Sequence, residues 1–313
     1  MGMSRKRIIW LVAPLLLGFV AVGIYAARIW YVYNHDSGLK KQVVDEAYRR
    51  GKSVDITKLR EHVYLLRGAG GNITALVGSD GILIVDSDHA WMADKVGAAL
   101  RTLNDTPVRY VINTHHHGDH RGGNGYFRRR GAQIIAHANT AKHMAGSKSP
   151  PSTPDDMPTV TFEQRYRLTL NGEDIHLVHL PNAHTDGDVI VQFTKANVLA
   201  TGDAFYFGSY PYLSVGTKGT IDGHLAGQQI ILNLVDDDTM IVPGHGPLAR
   251  RGNLVETTRR LAKVRDYIAW LKSNGVPLGL APAFYPTHGW RADWRQQPIT
   301  DRFFLSLVYK TLP

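Results

Sequence analysis

The 313-residue chain contains no cysteine. A disulfide framework and a thiolate metal ligand are therefore both excluded, and any metal held by side chains must be held by nitrogen or oxygen. No internal repeat is visible. Acidic residues are in the minority, 27 against 36 lysines and arginines, which gives a formal charge of +9. Yet long basic runs are missing, with three-residue clusters only at Arg5-Lys-Arg7 and Arg128-Arg-Arg130. A dispersed basic excess of this kind reads as solvated surface, so nucleic acid is not expected as a partner. Charge of either sign is absent from Ile8 to Ala27, a 20-residue apolar run.

That run has the length of a membrane-spanning helix. Arg5-Lys-Arg7 precedes it, and Arg28 with Trp30, Tyr31 and Tyr33 follows, a flank suited to the interface. The positive-inside tendency would leave the N-terminus in the cytoplasm and the rest of the chain outside it. A cleaved signal peptide is the alternative, since Ala21-Val-Gly23 has small residues at suitable spacing. Residues 1–30 are thus expected to form a membrane anchor or signal segment, with the domain on the periplasmic side, or secreted if the segment is cleaved. Residues 31–59 are polar and read as a helical or loose connector. The remaining length, with 43% hydrophobic residues overall, fits one sizeable α/β domain.

From residue 60 the pattern becomes short apolar strands, Val63 to Leu66, Ile73 to Val77 and Ile82 to Val85, divided by Gly70-Gly71 and Asp80-Gly81. A helical stretch from Met92 to Leu103 precedes the run Val108 to Thr114. Immediately after it stands His115-His-His-Gly-Asp-His120. Alternate residues of an extended backbone face one way, so His115 and His117 share a side, while Gly118 lets the chain bend and aim Asp119 and His120 at a second ion. Further metal-competent side chains are His184, Asp203 and His245, each expected at a strand end beside glycine or proline. Asp86 closes the third strand and is a candidate to orient a ligand histidine.

These seven residues, in this order, resemble the metallo-β-lactamase-fold hydrolase superfamily, and the resemblance covers residues 60–275. It implies an α/β fold, a four-layer αββα sandwich, to which the N-terminal membrane-spanning helix is added. It also implies that His115, His117 and His184 hold one metal, that Asp119, His120 and His245 hold a second, and that Asp203 bridges them. Two Zn(2+) per chain are the first expectation, with iron or manganese also compatible. The implied activity is hydrolysis of an ester, thioester, lactone or amide by a metal-bridging hydroxide, with Asp119 as the catalytic carboxylate. The net positive site would take a small, anionic or carbonyl-containing substrate. A β-lactamase, a phosphodiesterase or nuclease, and a non-catalytic metal-binding membrane protein are the alternatives. Asp203 as bridge resembles thioesterases and lactonases more than the β-lactamases whose second metal uses cysteine.

Outside the ligand set, Phe205 to Lys218 carries Tyr206, Tyr210, Tyr212 and Lys218, candidates to line the pocket, with Lys218 available for a substrate carboxylate. Asp188 is read as an acidic residue without a ligand role. Asn253 and Glu256 resemble a helix-start capping box, after which Leu254, Leu261, Val264, Ile268 and Leu271 recur at helical spacing. Residues 276–313 are expected to pack back on the domain as a C-terminal extension.

Overall fold

The computed structural model describes residues 53–147, 152–281, 299 and 301–313. They belong to one compact unit, Ala47–Pro313. The apolar run Ile8–Ala27 lies outside the described residues, and among the described residues no helix is long and apolar enough to cross a membrane.

Two mixed sheets form the centre. The first has the strand order β1 to β7: β1 (Asp55–Lys58), β2 (Val63–Arg67), β3 (Ile73–Gly78), β4 (Gly81–Val85), β5 (Val108–Ile112), β6 (Gln133–His137) and β7 (Val160–Phe162). Its first four strands pair antiparallel and the rest parallel. The second runs β12-β11-β10-β9-β8, from β8 (Arg165–Leu170), β9 (Glu173–Leu180), β10 (Asp188–Phe193), β11 (Val198–Tyr206) and β12 (Met240–His245). The helices are α1 (Ala93–Leu103), α2 (Gly118–Arg121), α3 (Asn124–Arg128), α4 (Ala138–Ala145), α5 (Ile221–Leu232), α6 (Arg251–Ser273) and α7 (Asp301–Thr311).

Alternation along the strands explains the layering. In β2, Val63 and Leu65 join Leu76, Leu83, Val85 and Ile112 against Leu177, Val189, Val191 and Val198 of the other sheet. Leu66, Ile73, Ala75, Ile82 and Ile84 face the opposite way and pack on Val96 and Leu100 of α1. The second sheet is covered likewise, with Ile190, Leu199 and Ile241 against Ile231 of α5 and Leu254 of α6. Side chains of this size contribute about 1.5–3 kcal/mol each on full burial, so three apolar layers between four layers of structure hold the molecule together.

Several boundaries differ from expectation. The first sheet begins at Asp55, inside the segment read as a connector, because β1 pairs with β2 although only Ile56 is apolar in Asp55–Lys58. Helix α6 begins at Arg251, two residues before Asn253, whose side chain accepts a hydrogen bond from Arg250 N at 2.9 Å. Asn253 is therefore the third residue of the helix and not its cap. Asp203 does not end a strand, since β11 runs on to Tyr206 with a register irregularity at Gly202, where φ is +49°. Gly202 lies so close to Thr114 that an added Cβ would sit 2.5 Å from its side chain.

Candidate metal centre

Strand β5 ends at Ile112, so His115 and His117 lie in the loop that leads to α2, not in a strand. They still converge, with His115 Nε2 3.1 Å from His117 Nδ1. The reason is Asp86, which sits at φ +66°, a left-handed conformation tolerated by short polar residues. Its carboxylate accepts from Thr114 N at 2.8 Å and Thr114 Oγ1 at 2.8 Å, and binds His120 Nδ1 at 2.7 Å. One buried carboxylate thus fixes both ends of the motif.

Two groups of side chains come together. His115, His117, His184 and Asp203 place four donor atoms within 4.8 Å of one another, and Asp119, His120 and His245 place three. His184, in the β9–β10 loop, brings Nε2 to 2.9 Å from His117 Nδ1. His245, the last residue of β12, brings Nε2 to 3.2 Å from His120 Nε2 and 3.2 Å from Asp119 Oδ2. Asp203 lies between the groups. Its Oδ2 is 3.7 Å from His115 Nε2 and 3.5 Å from His184 Nε2, while its Oδ1 is 3.2 Å from His120 Nε2 and 3.6 Å from His245 Nε2.

The outward nitrogens settle the tautomers. His184 Nδ1 is 2.7 Å from the Tyr212 carbonyl, which can only accept, so that nitrogen carries the proton and Nε2 turns a lone pair inward. Thr114 Oγ1, already donating to Asp86, accepts from His115 Nδ1 at 3.1 Å with the same result. His120 Nδ1 donates to Asp86. Inward lone pairs are what a metal requires. Asp203 Oδ1 adds an independent sign, because it is buried and makes no hydrogen bond. An unsatisfied buried carboxylate oxygen is costly, and a divalent cation among its histidine neighbours would satisfy it. The donor set fits two cations with nitrogen and oxygen ligands.

Electrostatics divide the groups. Burial, aided by neighbouring histidines, pushes His115 well below the usual histidine range and takes His117 down to about 3. Burial likewise takes His184 down to about 4. For His120, burial alone would lower the pKa, yet Asp203, Asp119 and Asp86 more than offset it and hold the ring well above its ordinary value. His245 is raised in the same way by Asp203 and Asp119. Burial works against the charge of Asp119 and Asp203, but their histidine neighbours prevail and keep both carboxyls below the ordinary range.

Supporting residues include some whose roles the sequence did not reveal. The Tyr206 hydroxyl donates to Asp203 Oδ2, and its ring stacks on His245 at 5.6 Å. Asp188 is not a bystander, because Oδ2 accepts from His184 N at 2.5 Å and Thr185 N at 2.9 Å, anchoring the loop that carries His184. Glycines make room for the ligands, since a Cβ on Gly71 would meet the His120 ring at 2.3 Å and one on Gly244 would meet Asp203 Oδ1 at 2.0 Å. His116 stays out of both groups, its ring 4.5 Å from His117 and 4.8 Å from His143. Lys218 Nζ lies 3.2 Å from Asp186 Oδ2, so its charge has a partner within the protein.

A metallo-beta-lactamase superfamily model matches residues 66–263. The chain belongs to this superfamily. It is 25% identical over 203 residues to the 2,4-dinitroanisole O-demethylase subunit alpha of Nocardioides sp., covering 63% of this chain and 59% of that protein. It is 26% identical over 155 residues to the hydroxyacylglutathione hydrolase of Rhodospirillum rubrum, covering 49% and 54%. Among solved structures, the sec-alkylsulfatase Pisa1 from Pseudomonas sp. matches with a TM-score of 0.66 at 17% identity, over 82% of this chain and 50% of that chain, a likeness of fold alone. The chain therefore spans between half and three fifths of the length of these two curated relatives.

Proposed function

We propose that this superfamily member is a hydrolase that holds two divalent metal ions, zinc first, and adds water to the carbonyl carbon of an ester, thioester, lactone or amide. The observation that carries the reading is the division of Asp203, whose two oxygens face different histidine groups while Oδ1 has no hydrogen bond. His115, His117 and His184 would hold the first ion, Asp119, His120 and His245 the second, and Asp203 both. Bound divalent cations polarise a carbonyl and bring the pKa of water toward about 7. The protein's own share is placement. The Asp119 side chain is 28% exposed against 4% for Asp203, so Asp119 is the carboxylate that an incoming water can reach and the one that orients it. Asp86, Thr114 and the Tyr212 carbonyl keep the histidine lone pairs pointed inward. The bound metal would satisfy Asp203 Oδ1, and Tyr206 hydrogen-bonds the other oxygen.

The test is metal analysis of the purified chain alongside a panel of ester, thioester, lactone and β-lactam substrates. About two ions per chain and cleavage of a carbonyl substrate are expected. A well-folded preparation without metal after metal-supplemented expression, or with two ions and no hydrolysis, would overturn the reading. We also propose that the apolar run Ile8–Ala27 anchors the chain, with the catalytic domain outside the cytoplasm. A reporter fused after Pro313 should be active only outside the cytoplasm, and cytoplasmic activity would reverse the orientation.

A further inference from the structure

The second histidine group draws on both sheets, for Asp119 and His120 follow β5 of the first whereas His245 ends β12 of the second. Its geometry depends on how the end of β12 is held against the first sheet. That end is pliable. Gly244 and Gly246 flank His245, Gly246 at φ +101°, and β12 is the last strand of its sheet, with a pairing to β11 that is irregular between Gly202 and Tyr206. Glycine on both sides gives a backbone its greatest conformational freedom, so the place of the ring needs an external restraint.

Asn72, in the turn between β2 and β3, supplies one. Its Nδ2 donates to the carbonyls of Pro243 at 2.8 Å and Gly246 at 3.0 Å, and its backbone N donates to that of Gly244 at 2.8 Å. The three acceptors bracket His245 in sequence. An amide nitrogen carries two N–H groups, so both side-chain bonds are made at once. The turn is itself anchored on the first-sheet half of the group, since Gly71 N donates to the Asp119 carbonyl at 3.0 Å and Gly71 lies against the His120 ring. Gly70 N and Ala69 N donate to the buried carboxylate of Asp88 at 2.8 and 3.1 Å, which fixes the start of the turn. All three residues of the second group are thus tied to one turn, residues 68–72, and none of these bonds goes to His115, His117 or His184.

We propose that Asn72 is a positioning residue for His245, and that through it the β2–β3 turn sets how tightly the second metal ion is held. The inference rests on the two-metal reading, and its test tells the two apart. With the full chain loaded with zinc, competition with a chromogenic chelator gives both affinities, and His245→Ala, which should lose the weaker one, assigns them. Asn72→Ala should weaken the second ion by about 10- to 100-fold, the range for losing a group that orients a ligand, and the first by less than about threefold. Asn72→Ser, which keeps one donor, should lie between Asn72→Ala and the native chain. Added to His245→Ala, Asn72→Ala should change nothing further, because its effect passes through that ring. Histidine ring signals in NMR spectra of the metal-free chain give a readout without metal, in which Asn72→Ala should shift His245 and leave His115 and His184 in place. Circular dichroism melting checks that each variant is folded, and if Asn72→Ala does not fold, the same measurements on Asn72→Ser decide.

If the native chain binds no metal but the His245 signals still depend on Asn72, the positioning role stands and the two-metal reading falls. If two ions bind and the Asn72 variants weaken neither, or weaken both equally, the positioning role is overturned and the two-metal reading survives. A further loss of affinity for the remaining ion when Asn72→Ala is added to His245→Ala would likewise overturn it, by showing that Asn72 acts on the fold at large.

Discussion

His115, His117 and His184 are neutral rings, two of them wholly buried, and the protons of His115 and His184 point outward to Thr114 and the Tyr212 carbonyl. Asp119, His120 and His245 differ, because Asp203 and Asp119, joined by Asp86 at His120, hold the histidines above their ordinary pKa, and Asp119 and His245 are 28% and 19% exposed. The first group is prepared for a cation by desolvation, which has already removed its protons. The second is prepared by negative charge, which attracts protons as readily as metal. Neighbouring sets that share one carboxylate can thus differ in how firmly they hold an ion, and the second should be the first to empty.

The sharpest way to break this contrast is Asp203→Asn, which keeps the shape and removes the charge shared by both groups. The second group should lose its metal first, because three histidines still hold the other. Hydrolysis should fall by about 100-fold or more, at or above the range for losing a supporting metal contact, with folding largely retained. Metal content measured beside activity decides it; unchanged values for both would show that Asp203 is not a bridge. Asp188→Asn is unsuitable as a neutral control, since its carboxylate accepts from His184 N. Lys263→Ala, on α6, serves better.

Asp86→Asn comes next in size. Asparagine also tolerates the left-handed conformation of residue 86, so the backbone should survive. The charged partner of His120 Nδ1 is lost, and metal affinity at the second group should fall about 10- to 100-fold while the first falls less. Competition with a chromogenic chelator measures both, and equal losses would remove the distinction between the groups.

Acidification should act in the same direction. In the metal-free chain the pKa of His117 is about 3 and that of His184 about 4, so between pH 8 and pH 6 the first group has no protons to displace. His120 and His245 are raised, and a metal entering there must expel their protons. Affinity at the second group should therefore drop by about tenfold per pH unit for each proton expelled. About two ions per chain at pH 8 and about one at pH 6 are expected. Parallel loss of both ions would contradict the asymmetry.

The ease of reading each part from sequence follows from its chemistry. Metal donors are restricted to a few residue types, and a single run from His115 to His120 supplies four of the seven side chains that the fold gathers. The strands of the first hairpins were legible because Val63–Arg67, Ile73–Gly78 and Gly81–Val85 are dense in β-branched and aliphatic residues bounded by glycine. Strand β8 was not, since Arg-Tyr-Arg-Leu-Thr-Leu exposes every second residue at the sheet edge. Helix α5 was hidden by apolar residues on several faces. Tyr206 could be read only as a candidate to line the pocket and Asp188 only as an acidic residue outside the ligand set, because a hydroxyl on a carboxylate and a carboxylate on a backbone N–H impose no spacing along the chain.

The smallest effect is expected from Lys218→Ala, and it tests which forces govern the approach to the first group. Lys218 sits in the same loop as Tyr212, in a left-handed conformation at φ +63°, with its side chain 75% exposed. Its ammonium lies 3.2 Å from Asp186 Oδ2, and His143 Nε2 binds the other oxygen of that carboxylate at 2.6 Å. Asp186 would remain paired with His143 if the lysine were removed. The lysine end of the pair is exposed and Asp186, though buried, keeps His143, so stability should change little, and alanine meets the positive φ with the same Cβ as lysine. If Lys218 stays paired with Asp186, KM for neutral esters should move by less than about threefold, and KM for a substrate with a carboxylate on its acyl chain should move equally little. Steady-state kinetics on p-nitrophenyl octanoate and on the p-nitrophenyl half-ester of succinic acid makes the comparison. A tenfold rise in KM confined to the half-ester would show that Lys218 leaves Asp186 to bind a substrate anion.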